Sequence, residues 1–340
     1  MRPIRWFTLP LLALTGTFAP PAAYAQLNVL CSVQVEWCTA AVGAFEKQTG
    51  IKVSMTQKGS GESIAQINAE KDNPKTDVWF GGTGDPHLQA AELGLTHPYQ
   101  SPMLDQLHPW AKGQWTISGQ KTVGIYAGAL GIGYNTEVLA KKKLPVPKCW
   151  ADLVKPEFKG EIQMANPNAS GTAYTAIATL VQLMGEEQAF EYLKKLHANI
   201  NNYPRSGTGP IKAVARGETS VSISFIHDAP GEALAGLPAK ALAPCEGTGY
   251  EIGSMSIVKG ARNLDNAKKF YDWALTADAQ MIAAQAKQFQ LPSNKAAPQP
   301  PESPRFADMK LIDYDQMKYG SVAERKRLIA RWDKEVNQGK

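Results

Sequence analysis

Leu27–Gly84 reads LNVLCSVQVEWCTAAVGAFEKQTGIKVSMTQKGSGESIAQINAEKDNPKTDVWFGGTG. It opens on Leu27-Asn28-Val29-Leu30, an apolar run with the length of a buried strand. Val35, Cys38, Val42 and Phe45 then recur at three- and four-residue steps and stop at Thr49-Gly50, which predicts a helix with a glycine at its end. Ile51–Met55 alternates as a second strand, and Ser63–Ala69 has the spacing of a second helix. Asp77-Val78-Trp79-Phe80 is a third strand, running into Gly81-Gly82-Thr83-Gly84. Strand, helix, strand, helix, strand predicts an α/β fold with a parallel sheet covered by helices.

Downstream, the pattern changes near Thr122. Gly124-Ile125-Tyr126 and Leu130-Gly131-Ile132-Gly133-Tyr134-Asn135 are glycine-rich extended stretches that carry the chain into a second lobe. A short helical piece over 150–158, a strand at Ile162-Gln163-Met164-Ala165, helices over 173–184 and 186–197, a helix from Pro210 and a strand over 221–226 form another α/β unit. The chain returns through 253–258 and continues in a long helix over 266–287. Pro292, Pro298, Pro300, Pro301 and Pro304 mark an irregular connection to a last helix over 321–337. The expected division is a first lobe over 26–123, a second over 124–252, a return over 253–290, and a C-terminal segment over 291–340 packed on a lobe surface. Two lobes joined by two extended crossings enclose a cleft, and ligands of open α/β sheets sit beyond the strand ends.

Upstream, Arg2 and Arg5 precede an apolar run over 6–20 that ends at Ala23-Tyr24-Ala25. A cationic start, a short apolar core and a small-x-small end are the marks of a signal peptide, with cleavage expected after Ala25 and a periplasmic product. The formal charge of +5 falls to +3 without Arg2 and Arg5, and Lys141-Lys142-Lys143 is the one basic block. That balance gives nucleic-acid binding no support. Four cysteines in an oxidising compartment allow three pairings. Closeness in sequence favours Cys31–Cys38, which leaves Cys149–Cys245. No CxxC spacing supports a metal site, and no cofactor is expected.

Val29-Leu30-Cys31-Ser32, Asp77–Gly82, Gly131–Asn135, Asn166-Pro167-Asn168-Ala169-Ser170-Gly171-Thr172 and Ile211–Glu218 together resemble type II periplasmic solute-binding proteins. The resemblance runs through nearly the whole mature chain and is to the group that includes ferric-ion, thiamine, phosphonate and sugar-phosphate binders. It looks closest to hexose-phosphate-binding members, in which a His-Asp pair and a later Glu hold sugar hydroxyls. It implies a two-lobed α/β fold, each lobe a mixed, mostly parallel sheet flanked by helices, with two hinge crossings. It also implies a monomer that hands a small anionic ligand to the membrane permease subunits of an ABC importer. The ferric-ion branch uses two adjacent tyrosines. Here His227-Asp228 stand at that place, and Tyr314 and Tyr319 are not adjacent.

Ser170-Gly171-Thr172 precedes one helix, and Arg205-Ser206-Gly207-Thr208-Gly209-Pro210 leads into another. Such stretches serve either as plain helix caps or as anion cradles built from backbone N–H groups and hydroxyls; the resemblance favours the cradle. Arg205 can add charge to the ligand or form a surface ion pair. His227 and Asp228 follow a strand end, where they suit vicinal hydroxyls or ordinary turn chemistry, and Glu251 supplies a second carboxylate. Ser32, Ser60 and Thr83 are the first-lobe candidates, with Ser60 capping the helix after it. Trp37 can stack on an apolar sugar face or pack in the core. His87, His97, His108 and His197 have no metal-ligand spacing and are expected on turns or helix surfaces. A hydrolase reading of His227, Asp228 and Glu251 lacks a GxSxG nucleophile or a two-metal cluster.

Overall fold

The computed structural model describes residues 26–337; the expected signal peptide over 1–25 lies outside them. The opening unit forms as read. β1 (Leu27–Cys31), α1 (Val35–Thr49), β2 (Val53–Gln57), α2 (Ser60–Ala69) and β3 (Val78–Phe80) place three parallel strands side by side, β1 in the middle. β2 sits two residues later than its alternation suggested, with Ile51 buried just before the strand begins. α2 starts at Ser60 rather than Ser63. α3 (Gly84–Glu92), β4 (Thr96–His97) and α4 (Pro109–Ile117) complete this stretch of the first lobe.

β5 (Val123–Asn135) is one continuous strand that belongs to both lobes. α5 (Thr136–Lys142), β6 (Ile162–Met164), α6 (Gly171–Met184), α7 (Glu186–Asn199), β7 (Ile200–Asn202), α8 (Gly209–Ala215), β8 (Val221–Phe225), α9 (Ala229–Leu234) and β9 (Ala239–Leu242) build the second lobe. Residues 130–134 of β5 pair antiparallel with β8, while β6 runs parallel to both β7 and β8. β10 (Tyr250–Val258) returns to the first lobe, pairing antiparallel with β5 and with β3. The sheet of each lobe is therefore parallel on its outer flank and antiparallel at the shared strands. These strands are the hinge.

The expected helix over 266–287 is two helices, α10 (Leu264–Ala274) and α11 (Ala277–Gln285), because the Thr276 side chain caps the second by accepting from Ala279 N. β11 (Leu291–Pro292) then pairs with Ala127 and Tyr126 of β5, in the first lobe. From there the proline-rich stretch passes to the second lobe, a third connection beside the two extended crossings. Ile312 N donates to Thr248 O at 2.9 Å, and α12 (Gln316–Tyr319) and α13 (Val322–Glu335) follow. Leu328 and Trp332 of α13 are fully buried among α6, α7 and Trp150.

Each lobe has its own core. Phe45 meets Phe270 and Trp273 edge-on at 5.0 and 5.3 Å in the first, and Trp150, Phe158, Tyr174 and Phe190 fill the second. Both expected bridges are present, Cys31–Cys38 tying β1 to α1 and Cys149–Cys245 spanning 96 residues of the second lobe. Among the described residues, no helix is long and apolar enough to cross a membrane. His87 departs from expectation: it is fully buried, stacked on Trp79 at 3.6 Å, with Nδ1 on Ser256 Oγ and Nε2 on Gly81 O. Burial holds its imidazole near pKa 3, so it stays neutral inside the first lobe.

Candidate functional site

A cavity lies between the lobes, lined by residues of both. Six helix caps meet on its wall: Gln34 of α1, Gly59 of α2, Thr83 of α3, Ser170 of α6, Thr208 of α8 and Asp228 of α9. The first turn of a helix leaves backbone N–H groups without intrahelical partners and carries the positive end of its dipole. α1, α2, α3 and α6 run nine residues or more, so their dipoles are substantial. No Lys, Arg or His lies among the lining residues. Within the lining, positive potential comes from backbone N–H groups.

The hydroxyls of this wall are ordered by short contacts. Ser170 Oγ accepts from Ala173 N at 3.4 Å, so the cap and the cavity lining are the same residue. Ser60 does not cap α2; its Oγ accepts from Thr83 N at 3.1 Å and fixes the 81–84 loop. Ser32 Oγ bonds Ser63 Oγ and accepts from Trp79 Nε1, both at 2.8 Å. Ser206 and Thr208 share a hydroxyl contact at 3.1 Å. Thr83 Oγ1 is buried without a partner, and Gly171 leaves just enough room for it: a Cβ there would overlap that oxygen. Glycine at 171 lets the two lobes approach.

One part of the lining is acidic. Asp228 and Glu251 line the cavity, and His227 lies behind them with Nε2 3.6 Å from Asp228 Oδ1 and 3.8 Å from Glu251 Oε1. Those separations are too long for hydrogen bonds. Burial pushes Asp228 up to about 7 and Glu251 well above the usual carboxylate range, while it lowers His227 to about 3. The imidazole is thus neutral, and the three groups form no ion pair at neutral pH. Asp228 Oδ1 accepts from Gln34 Nε2 at 2.5 Å, across the cleft. The Tyr126 hydroxyl accepts from Gly82 N at 3.2 Å, and its pKa is raised by burial and then by Glu251.

The cavity brings together Ser32, Ser60, Thr83, Ser170, Gly171, Thr172, Ser206, Gly207, Thr208, Asp228 and Glu251. It does not include His227 or Trp37. Trp37 is in the first-lobe core, 5.7 Å from Phe80 and 5.4 Å from Tyr126, on a stripe with Ala41 and Phe45. Arg205 is turned away, its Nε donating to Glu62 Oε1 at 2.8 Å at the rim. Sequence reading missed Gln34, Gln57, Tyr126, Phe225 and Gln290, all of which line the cavity. A second cross-lobe ion pair joins Lys212 to Glu36 at 3.2 Å, and Gly61 N donates to Ala169 O at 3.1 Å. The lobes are closed on each other.

A two-lobed α/β chain with a polar interlobe cavity, a shared-strand hinge and rim contacts that latch the lobes is a solute-binding protein. Residues 73–319 match the model of the bacterial extracellular solute-binding protein family, and the chain belongs to that family. An uncharacterised protein of Haemophilus influenzae is 47% identical over 320 residues, covering 94% of this chain and 92% of that one. The solved periplasmic binding protein AfuA of Actinobacillus pleuropneumoniae, with exogenous fructose 6-phosphate bound, is 46% identical at a TM-score of 0.88, covering 92% of this chain and 99% of that one. The solved periplasmic binding protein P5PA is 43% identical at the same TM-score, with the same coverage.

Proposed function

We propose that this protein is the periplasmic receptor of an ABC importer and that it captures a sugar phosphate between its lobes. Cleavage after Ala25 would release it into the periplasm. The carrying observation is the polarity of the cavity: five helix caps around its lining, two buried carboxyl groups of which Asp228 is itself the sixth cap, and no cationic side chain among the lining residues. The cap wall suits a phosphate, which accepts from N–H and O–H groups at every oxygen. Asp228 and Glu251 suit hydroxyls, with which carboxyl groups exchange hydrogen bonds. Similarity to a protein solved with fructose 6-phosphate bound supports the same ligand class.

Ferric iron fits less well. A hard cation wants phenolate and carboxylate ligands, and Tyr126 is the one tyrosine on the lining, its phenol held above its ordinary pKa. Closure should hide the ligand and present the joined lobes to the permease, leaving nucleotide hydrolysis to partner subunits. Calorimetry on ligand-stripped protein decides the reading, with glucose 6-phosphate, fructose 6-phosphate, ribose 5-phosphate, inorganic phosphate, aminoethylphosphonate, thiamine and ferric citrate. Tight binding of a sugar phosphate with weak binding of inorganic phosphate is expected. Binding of ferric citrate or thiamine alone would overturn it.

A further inference from the structure

Gln290 sits on the cavity wall at 4% exposure, in the segment that leads into β11. Its backbone is held from both sides. Phe289 is buried just before it, and Leu291 and Pro292 pair with Ala127 and Tyr126 just after it. Its amide is held as well. Gln290 Nε2 donates to Gln34 Oε1 at 3.1 Å, and Gln34 Nε2 donates to Asp228 Oδ1 at 2.5 Å. This chain of bonds has a direction. Asp228 offers an acceptor oxygen whether or not its other oxygen carries a proton, so Gln34 turns its NH₂ toward it. Gln34 then has only Oε1 to offer Gln290, and Gln290 must present Nε2 to Gln34.

What remains is Gln290 Oε1, a buried carbonyl oxygen with no hydrogen-bond partner. An unpartnered buried acceptor costs about 1–3 kcal/mol, and evolution of a binding site tolerates it where a ligand supplies the donor. We infer that Gln290 is a specificity-determining residue whose Oε1 accepts from a hydroxyl on the uncharged part of the ligand. The inference rests on the sugar-phosphate reading and deepens it. Gln290, Asp228 and Glu251 make one wall that counts the donors of the sugar, and Gln34 orients the first two. Inorganic phosphate held at the helix caps brings no sugar hydroxyl to that wall, so the residue should discriminate between ligands without holding the anion.

The test is calorimetry of wild type and Gln290→Met with glucose 6-phosphate, its monodeoxy analogues and inorganic phosphate. Met keeps the length and volume of the side chain and removes its acceptor. The variant should bind the sugar phosphate roughly ten- to a hundredfold more weakly and inorganic phosphate unchanged. One monodeoxy analogue should lose affinity for wild type and lose nothing further for the variant, since the two changes remove the same bond. Gln290→Asn, which retracts the amide by one methylene, replaces the Met variant if that one melts early. Undiminished binding of the sugar phosphate by the variant overturns the inference, and so does an equal loss for inorganic phosphate. Failure of wild type to bind any sugar phosphate instead overturns the ligand reading itself, and this inference with it.

Discussion

Gln34 Nε2 and Asp228 Oδ1 stand 2.5 Å apart across the interlobe cleft, joining the cap of α1 in one lobe to the cap of α9 in the other. Asp228 is therefore both a wall of the cavity and part of its closure. Its carboxyl makes no capping bond to α9; the bond it makes belongs to the partner lobe. The cavity lining and the contact between the lobes share this one side chain.

Asp228→Asn should separate those roles by pH. Burial raises Asp228 from 3.8 to about 7 in the closed protein. A group raised by closure is held best while protonated, so its contribution is complete below about pH 4 and is lost as pH climbs through 7. The unliganded variant should consequently melt higher than wild type at pH 8 and alongside it at pH 4. Glu251 shifts in the same direction, by burial first and by the Asp228 charge second, so the difference reports Asp228 together with its effect on Glu251. Calorimetry on the variant should show a loss of roughly tenfold or more for the sugar phosphate and little for inorganic phosphate. Parallel melting curves across the pH range would contradict the buried-carboxyl account.

Arg205→Ala addresses the rim. The side chain is 76% exposed and pairs with Glu62, so the pair is worth at most about 1 kcal/mol. Ligand affinity should fall less than about fivefold, and the difference should vanish in molar salt, where the Debye length is only about 3 Å. A hundredfold loss that survives high salt would place the guanidinium on the ligand instead.

The architecture was legible because local signals agreed with the global fold. The spacing of Val35, Cys38, Val42 and Phe45, ended by Gly50 at φ 72°, marks α1 without any tertiary information. Ser170-Gly171-Thr172 and Ser206-Gly207-Thr208 were legible as well, since hydroxyls and glycine before a helix are a local pattern. Gln34 and Gln290 were not, because glutamine carries no pattern and Gln290 reaches the cavity only through the pairing of β11 with β5. Trp37 was readable and misplaced: 37, 41 and 45 form a stripe at four-residue steps, which predicts core. The third connection has no periodicity at all, only prolines.

The Cys149–Cys245 bridge should matter to stability and not to binding. It closes a span of 96 residues, for which chain-entropy estimates give about 4–5 kcal/mol at 25 °C. Neither cysteine lines the cavity. A Cys149→Ser, Cys245→Ser double variant should unfold at lower denaturant by about 2–5 kcal/mol while binding its ligand nearly as wild type does. An unchanged midpoint would mean that the second-lobe core alone holds that loop.

Gly61→Ala offers the cleanest test of closure, because it touches the partner lobe and not the cavity. Gly61 is the second residue of α2, and it does not line the site. A Cβ there would meet the backbone oxygens of Asn168 and Ala169, in the second lobe, at 2.7 and 2.8 Å. Backbone cannot rotate aside as a side chain can, so the lobes would have to part. Within its own lobe the change is benign, since alanine is the better helix former. The unliganded variant should melt at or above the wild-type temperature, whereas its affinity should drop roughly tenfold or more, the size expected of overpacking at a contact. Small-angle scattering should show ligand-induced contraction in wild type and a smaller one in the variant. Wild-type affinity together with full contraction would mean that the Gly61–Ala169 contact is not needed for the closed, ligand-holding state.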